Sequence, residues 1–239
     1  MGMSMTACAH IEEDALEYLP CTVPLSFDRG ETVYGGTKQA AGLYAVLKGR
    51  VKVWRAAHDG AATILGIYGN EQIFGESSLI GGISDEVATA LERTQVMCWP
   101  VAAVEDRIAK SPRLGVALMQ TLVARSVSLK ERIRNIAAEK TPARVALALL
   151  SLAQENGSRT EDGGLSCPSL THQLISELVG TSREIVTAEM GRLRRLHLMD
   201  YSRKGIHVYP DALREYIETR ARLPQPPRTR QAGLVSSND

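Results

Sequence analysis

From about Cys21 to Pro100 the apolar residues come in short runs interrupted by glycine-containing turns. Thr32-Val33-Tyr34 precedes Gly35-Gly36, Leu43 to Leu47 precedes Lys48-Gly49, and Val51 to Arg55 precedes Asp59-Gly60. Ala62 to Tyr68 and Ala88 to Trp99 are two further runs of the same kind. Runs of this length closed by glycine turns predict strands. Many short strands at this spacing form a sandwich, a roll or a barrel.

The period then changes. Between Val104 and Ala138 no proline follows Pro112, and Gly115, Met119, Leu122, Ser126, Leu129, Ile133 and Ile136 repeat at the alternating 4-3-4 spacing of a heptad seam. Arg125, Lys130, Glu131, Arg132 and Arg134 lie on the opposite face, where solvent suits them better than a core. Spacing alone leaves two readings open, a helix lying on its own β domain and a dimer coiled coil, because the apolar repeat covers only about three heptads. Thr141-Pro142 restarts a helix, since proline in the first turn sacrifices no hydrogen bond, and Ala143 to Ala153 forms its apolar body. Glu155 to Gly164 is polar and glycine-rich and predicts a loop or short hairpin. After Arg222 the Leu-Pro-Gln-Pro-Pro stretch and polar end at Asp239 predict a disordered tail.

Leu170, Leu174, Ile175 and Leu178 have the spacing of a short helix that ends at Gly180, a residue suited to a tight interhelical turn. Thr181-Ser182-Arg183-Glu184 fits a capping box that opens a second helix. Val186, Met190 and Leu193 would be its buried stripe, leaving Arg183, Glu184, Thr187, Ala188 and Gly191 outward near the N-terminal half. In a helix-turn-helix this is the part that enters the major groove, where arginine donates two hydrogen bonds to guanine and glutamate accepts from cytosine. Arg183 and Glu184 are therefore the first candidates for base contacts, with Ser182, Thr187 and Ala188 beside them. Met199 to Tyr201, Ser202-Arg203-Lys204-Gly205 and Ile206 to Tyr209 read as a hairpin whose basic tip, Arg203 and Lys204, would meet phosphate. For Arg192, Arg194 and Arg195 a solvated helix end and phosphate contact are equally open readings.

Composition narrows the class. The 239 residues, 44% hydrophobic and 23% charged, are enough for one large or two modest cores. Apolar stretches are broken well before the roughly 20 residues of a membrane span, and Met1 to Cys21 is acidic and lacks the pattern of a signal peptide, so a cytoplasmic location is expected. The net charge of +1 is compatible with nucleic-acid binding because the basic residues concentrate late, at Arg183, Arg192, Arg194, Arg195, Arg203 and Lys204. Cys8, Cys21, Cys98 and Cys167 form no C-x-x-C pair, so neither a zinc knuckle nor a clustered iron–sulfur motif is signalled, and free thiols are expected. No nucleophile elbow, phosphate loop or metal-binding helix is present, and His10, His58, His172, His197 and His207 are scattered, so no enzyme is expected. His172 could face phosphate, the alternative being a solvated helix position.

Leu170 to Met190 (LTHQLISELVGTSREIVTAEM) resembles the Crp/Fnr helix-turn-helix, and Gly42 to Trp54 (GLYAVLKGRVKVW) resembles the central β-roll of the same family. The resemblance runs from about Leu25 to about Tyr216. It implies an α+β chain: a segment 1–21, a jelly-roll-like cyclic-nucleotide-binding β-roll over 22–103, a long dimerisation helix over 104–138, a winged helix-turn-helix over 139–222, and the tail 223–239. It further implies a homodimer joined through Met119, Leu122, Ser126, Leu129, Ile133 and Ile136, double-stranded DNA with half-sites about one helical turn apart, and contact with RNA polymerase. Whether such a protein activates or represses depends on where its sites lie.

Phe74-Gly75-Glu76 matches the start of the family's phosphate cassette, which places the effector pocket at Gly75, Glu76, Ser84, Asp85, Glu86, Leu129 and Lys130. In cyclic-AMP-responsive members the cassette continues to an arginine that neutralises the phosphate. Here Ile83-Ser84-Asp85-Glu86-Val87 has none, and two carboxylates would repel a phosphate. Leu129 and Lys130 stand where those members carry the Thr-Ser pair that contacts adenine. Cyclic AMP is therefore not expected to bind in the usual way. The clustered N-terminal cysteines of the oxygen-sensing branch are absent, and a Cys-x-His pair such as Cys8 and His10 is more often incidental, so neither haem nor an iron–sulfur cluster is expected. Ala188 stands where a second base-reading arginine is usual, which implies a relaxed variant of a GTGA-like half-site. A sensor or interaction protein that keeps the helix-turn-helix as a scaffold is the competing reading.

Overall fold

The computed structural model describes residues 13–36, 42–56, 62–80, 85–138 and 141–222. Its first strands are β1 (Leu25–Phe27), β2 (Thr32–Tyr34), β3 (Gly42–Lys48), β4 (Val51–Ala56), β5 (Ala62–Tyr68), β6 (Ile73–Phe74), β7 (Glu86–Ala90) and β8 (Thr94–Pro100). They pair antiparallel into two four-stranded sheets, β1-β8-β3-β6 and β2-β7-β4-β5. The run Ala88 to Trp99, read above as one strand, is divided by a turn at Leu91–Arg93 that carries the chain from one sheet to the other. The buried Thr94 hydroxyl holds this crossing by donating to the Glu92 carbonyl at 2.8 Å and accepting the Arg50 N–H at 3.3 Å. Gly49 must pass beside it at φ +90°, where a Cβ would lie 2.7 Å from the Arg93 carbonyl oxygen.

Between the sheets lies an aromatic interior. Tyr44 and Phe74 stack at 5.3 Å, Tyr34 lies 5.3 Å from Tyr44, and Tyr68 lies 5.6 Å from Phe74. Val46, Val51, Val53, Ala88 and Val96 complete this core. On the outer face of the first sheet, Leu43, Ala45, Ile73 and Trp99 bury themselves against Val104, Leu114, Ala117 and Leu118 of the following helices. The Trp99 indole N–H donates to the Pro20 carbonyl at 2.7 Å, which satisfies its one polar atom.

The single helix expected over 104–138 is two, α1 (Val101–Lys110) and α2 (Pro112–Ala138). Pro112 has no amide hydrogen to continue α1 and drives Ser111 out of helical geometry, to φ −138° and ψ 87°. Along α2, Met119, Leu122, Ser126, Leu129 and Ile133 are exposed, together with Val116, Val123 and Val127. The Ile136 side chain lies outside what is described. The solvent face assigned to Arg125 and Arg132 is corrected. Arg125 pairs with Glu76 at 2.7 Å, donates to the Ile73 carbonyl and lies 4.9 Å from the centre of the Tyr68 ring. Arg132 donates to the carbonyls of Ile64 at 2.8 Å and Leu65 at 3.3 Å. Long guanidinium side chains reach inward from positions that a hydropathy pattern assigns to water.

The remaining elements are α3 (Thr141–Asn156), β9 (Ser158–Arg159), β10 (Leu165–Cys167), α4 (His172–Val179), α5 (Arg183–Arg195), β11 (Met199–Tyr201), β12 (Ile206–Val208) and α6 (Pro210–Arg222). Their strands form a sheet in the order β11-β12-β10-β9. Val145, Leu149, Ile175, Val186, Met190, Leu193, Ile206, Val208 and Leu213 form a separate core. The chain is thus α+β, a roll followed by helices and a winged helical domain. The segment 1–12 and the tail 223–239 lie outside the described residues. Among the described residues no helix is long and apolar enough to cross a membrane.

Phe74, fully buried and in contact with three other rings, holds the roll's interior together. Phe74→Ala should lower the unfolding free energy of the roll by about 3–5 kcal/mol in denaturant titration. A loss below about 1 kcal/mol would mean that the interior repacks freely.

Candidate nucleic-acid interface

α4 and α5 form the helix-turn-helix. The Thr171 hydroxyl caps α4 by accepting the Leu174 N–H at 3.1 Å, and Gly180 ends it in the left-handed region at φ +69°. The expected capping box does not form, because the helix starts one residue later than read and its third position is Ile185, which has no carboxylate to return to the cap. Ser182, not Thr181, caps α5, its hydroxyl accepting the Ile185 N–H at 3.4 Å. The Glu184 carboxyl is held below the usual carboxylate range by its own backbone N–H, then by the Ser182 hydroxyl and the Arg183 charge. Glu184 is thus an anion at neutral pH, able to accept but not to donate.

Val186, Met190 and Leu193 are buried on the inner face of α5. Ser182, Arg183, Glu184, Thr187 and Ala188 are all exposed, so the candidate base contacts share an open surface. The Thr187 hydroxyl donates to the Arg183 carbonyl at 2.9 Å and meets His172 Nδ1 at 2.8 Å. Arg203 and Lys204 are exposed at the tip of the β11–β12 hairpin, and Arg203 also lines a cleft of about 550 Å³ between this domain and the roll. The end of α5 is more engaged than its sequence suggested. Arg192 lies 5.9 Å from the Tyr216 ring centre, while Arg194 pairs with Asp200 at 2.9 Å over the Tyr201 ring. Glu189, turned inward, accepts from the Tyr216 hydroxyl at 2.7 Å, a role that its position in a charged helix did not signal.

The reader domain is docked on the roll. Leu174 and Leu152 are buried with Ile64 and Ile67 of β5, flanked by Trp54, Leu170 and Leu178. Arg132 of α2 donates to the Leu178 carbonyl at 2.7 Å as well as to β5, so one side chain joins three parts of the chain. Arg50 is held by Glu92 at 2.8 Å and donates to the Ser169 carbonyl at 3.1 Å. Lys52 pairs with Glu177 of α4 at 3.7 Å. Leu170, Leu174 and Leu178 were read from the sequence only as the apolar side of a short helix and Arg132 only as a solvent-facing residue, while Arg50, Lys52, Leu152 and Glu177 carried no signal of this junction.

At the effector positions, Gly75 has φ +85°, and a Cβ there would come within 2.8 Å of the Tyr44 ring. Glu76 is engaged by Arg125. Glu86 accepts from the Ser77 hydroxyl at 2.8 Å, and Asp85 is exposed and paired with Arg55 at 2.5 Å. Arg55 thereby offsets part of the repulsion expected from the two carboxylates. Leu129 and Lys130 are exposed on α2. Ser84 lies outside the described residues, as do Cys8 and His10.

A two-sheet roll joined through a long helix to a winged helix-turn-helix is the architecture of a DNA-binding regulator. The cyclic nucleotide-binding domain family matches residues 24–111, and the Crp-like helix-turn-helix domain family matches residues 143–216. The chain is 33% identical over 165 residues to a CRP-like cAMP-activated global transcriptional regulator of Mycobacterium tuberculosis, covering 68% of this chain and 73% of that protein. It is 30% identical to the global nitrogen regulator of a Synechocystis species, over 81% of this chain and 87% of that one. Among solved structures it is similar to a CRP/FNR-family transcriptional regulator from Thermus thermophilus, with TM-score 0.63, 25% identity, and coverage of 82% of this chain and 98% of that one. The chain belongs to the Crp/Fnr family of transcription regulators, with its DNA-reading element in the helix-turn-helix.

The Arg50 guanidinium holds the Glu92 carboxyl below its ordinary range, a lowering that partial burial opposes. A depressed folded value means stability that is present above the ordinary carboxylate range and is lost as the pH falls through the folded value. Glu92→Gln should therefore cost up to about 1 kcal/mol near neutrality, because the pair is partly exposed, with the gap closing in acid. Parallel curves for parent and variant across that range would mean that the pair contributes nothing to stability.

Proposed function

We propose that two copies of the chain pair along the exposed apolar stripe of α2 and present their α5 helices to successive major-groove segments of a two-fold symmetric DNA site. Arg183 and Glu184 contact base edges, Ser182, Thr187 and Ala188 lie against the groove, and Arg203, Lys204 and Arg192 stand near phosphates. The carrying observation is the open N-terminal half of α5, whose exposed Arg183 and Glu184 lie beside a basic wing. The stripe supports the dimer, since Met119 is 58% and Ile133 67% exposed in the single chain, more apolar surface than one helix ordinarily leaves in water. The protein works in the cytoplasm, with RNA polymerase as a further partner.

The roll answers a signal other than cyclic AMP, or the dimer binds without one. No arginine stands in the Asp85–Glu86 stretch to meet a cyclic phosphate, and Glu76 is already committed to Arg125. The cAMP activation named for the mycobacterial relative is matched in similarity by the nitrogen regulator, so likeness alone favours neither signal.

Selection of bound duplexes from a random pool should return one symmetric site, bound equally with and without cyclic AMP. Arg183→Ala and Glu184→Ala should each reduce discrimination by about 1–3 kcal/mol. Nucleotide-dependent binding would overturn the signal assignment, and recovery of no common site would favour a scaffold role for the helix-turn-helix. In sedimentation the parent should run as a dimer and Ile133→Glu as a folded monomer. A dimeric Ile133→Glu would place the interface elsewhere.

A further inference from the structure

We infer that Ile185 packs against the C5 methyl group of a thymine and so selects a T·A pair in each half-site, beside the base pairs met by Arg183 and Glu184. The inference rests on the DNA-reading assignment of α5 and adds to it a determinant that its polar residues do not supply. Its starting point is an unequal exposure of apolar side chains along the helix. Val186, Met190 and Leu193, the other large apolar residues of α5, are buried, whereas Ile185 is 41% exposed. Around it the open surface is polar or small, made by Ser182, Arg183, Glu184, Thr187 and Ala188.

Helix geometry directs this side chain at the groove. Successive helical residues are turned by about 100°, so Arg183, Glu184 and Ile185 fan out from the start of α5 with Glu184 in the middle. A recognition helix enters the major groove by that end, which brings all three positions within reach of base edges. Cα–Cβ bonds tilt toward the N-terminus of a helix, so the isoleucine methyl groups lead into the groove. The turn is itself held, because the Ile185 N–H donates to the Ser182 hydroxyl at 3.4 Å. Branching at Cβ leaves a helical isoleucine essentially one rotamer, so its methyl groups are in position before DNA arrives. Ala188, three residues on and adjacent on the exposed surface, is too short to hold the groove wall away from Ile185. On the DNA side there is one match. The major-groove edges of the four base pairs present donors, acceptors and a single apolar group, the thymine methyl. Against a purine edge or the cytosine amino group an aliphatic side chain strips water from polar atoms that it cannot satisfy. Against thymine it removes apolar surface from water on both partners.

The test compares the selected duplex with copies in which each thymine in turn, at symmetry-related places in the two half-sites, is replaced by uracil, which lacks only that methyl group. Binding of the full chain is measured by fluorescence anisotropy. At one thymine position the replacement should weaken parent binding by about fourfold per half-site, the worth of one buried methyl-sized group. Ile185→Ala should bind the thymine and uracil duplexes alike, and Ile185→Val should keep the preference. A role for Ile185 confined to holding the first turn would lower affinity for both duplexes equally and leave their ratio at the parent value. Specific binding by the parent with no thymine position sensitive to uracil, or a sensitivity retained in full by Ile185→Ala, would overturn the inference while leaving the DNA-reading assignment intact. Absence of any specific site for the parent would overturn that assignment and this inference with it.

Discussion

Backbone carbonyls that secondary structure leaves unbonded need partners, and at the centre of this protein one arginine serves those of a strand bulge and a helix end. The pairing of β4 with β5 skips from Val53–Gly66 to Trp54–Ile64, so Leu65 is bulged and its carbonyl has no ladder partner. Leu178 lies in the last turn of α4, where carbonyls lack amide partners within the helix. Arg132 reaches from α2 to the carbonyls of Ile64, Leu65 and Leu178. A guanidinium offers five donors in a fixed fork, which lets one side chain serve a bulge and a helix end together. Removing it would leave several half-buried acceptors unsatisfied, a larger penalty than the loss of any one hydrogen bond.

This constraint determines how the reading surface is presented. α4 turns its apolar side toward β5 through Leu174, flanked by Leu170 and Leu178, so the roll fixes its orientation. α5 buries only its own stripe inside the reader domain, and its outer face stays open. The roll therefore bears on α5 through α4, a helix that packs on both. α2 is the element common to both: Arg125 anchors it in the roll beside Glu76, and Arg132 anchors it at the junction two turns farther along. A helix advances about 1.5 Å per residue, so sliding α2 by one residue would break hydrogen bonds of 2.7–2.8 Å at both anchors at once.

Much of this was legible in the residue pattern. Glycine turns marked the hairpin ends, apolar spacing marked the stripe of α5, and Gly180 marked the turn between the helices. The failures share a physical reason. The seam along 104–138 was read by periodicity alone, and the helix break at Ser111-Pro112 follows from local sterics, which periodicity does not register. Ser182 takes the cap in place of its neighbour Thr181 because the two differ only in which residue's backbone leaves helical geometry first. The inward-facing Arg125 and Arg132 were assigned to solvent because charge was treated as a proxy for exposure. What draws them inward is carbonyls made available by β6, the β5 bulge and the end of α4, none of which is visible from their own positions.

The same reasoning separates the two halves of the protein in what their residues disclose. The candidate reading surface is local: Arg183, Glu184, Thr187 and the wing lie within about thirty residues of one another and face outward. The sensor's chemistry is assembled from afar, with Tyr34, Tyr68, Phe74 and Arg125 brought together from two sheets and a helix. Along the cassette the partly buried Glu76 is matched by Arg125 and the exposed Asp85 by Arg55, so counting carboxylates overstates its negative charge. What distinguishes this roll is the missing phosphate-binding arginine together with a cation already seated over the Tyr68 ring. The Arg125–Glu76 pair is one of the contacts by which the roll holds α2, beside the buried Leu114, Ala117 and Leu118 and the Arg132 hydrogen bonds to β5.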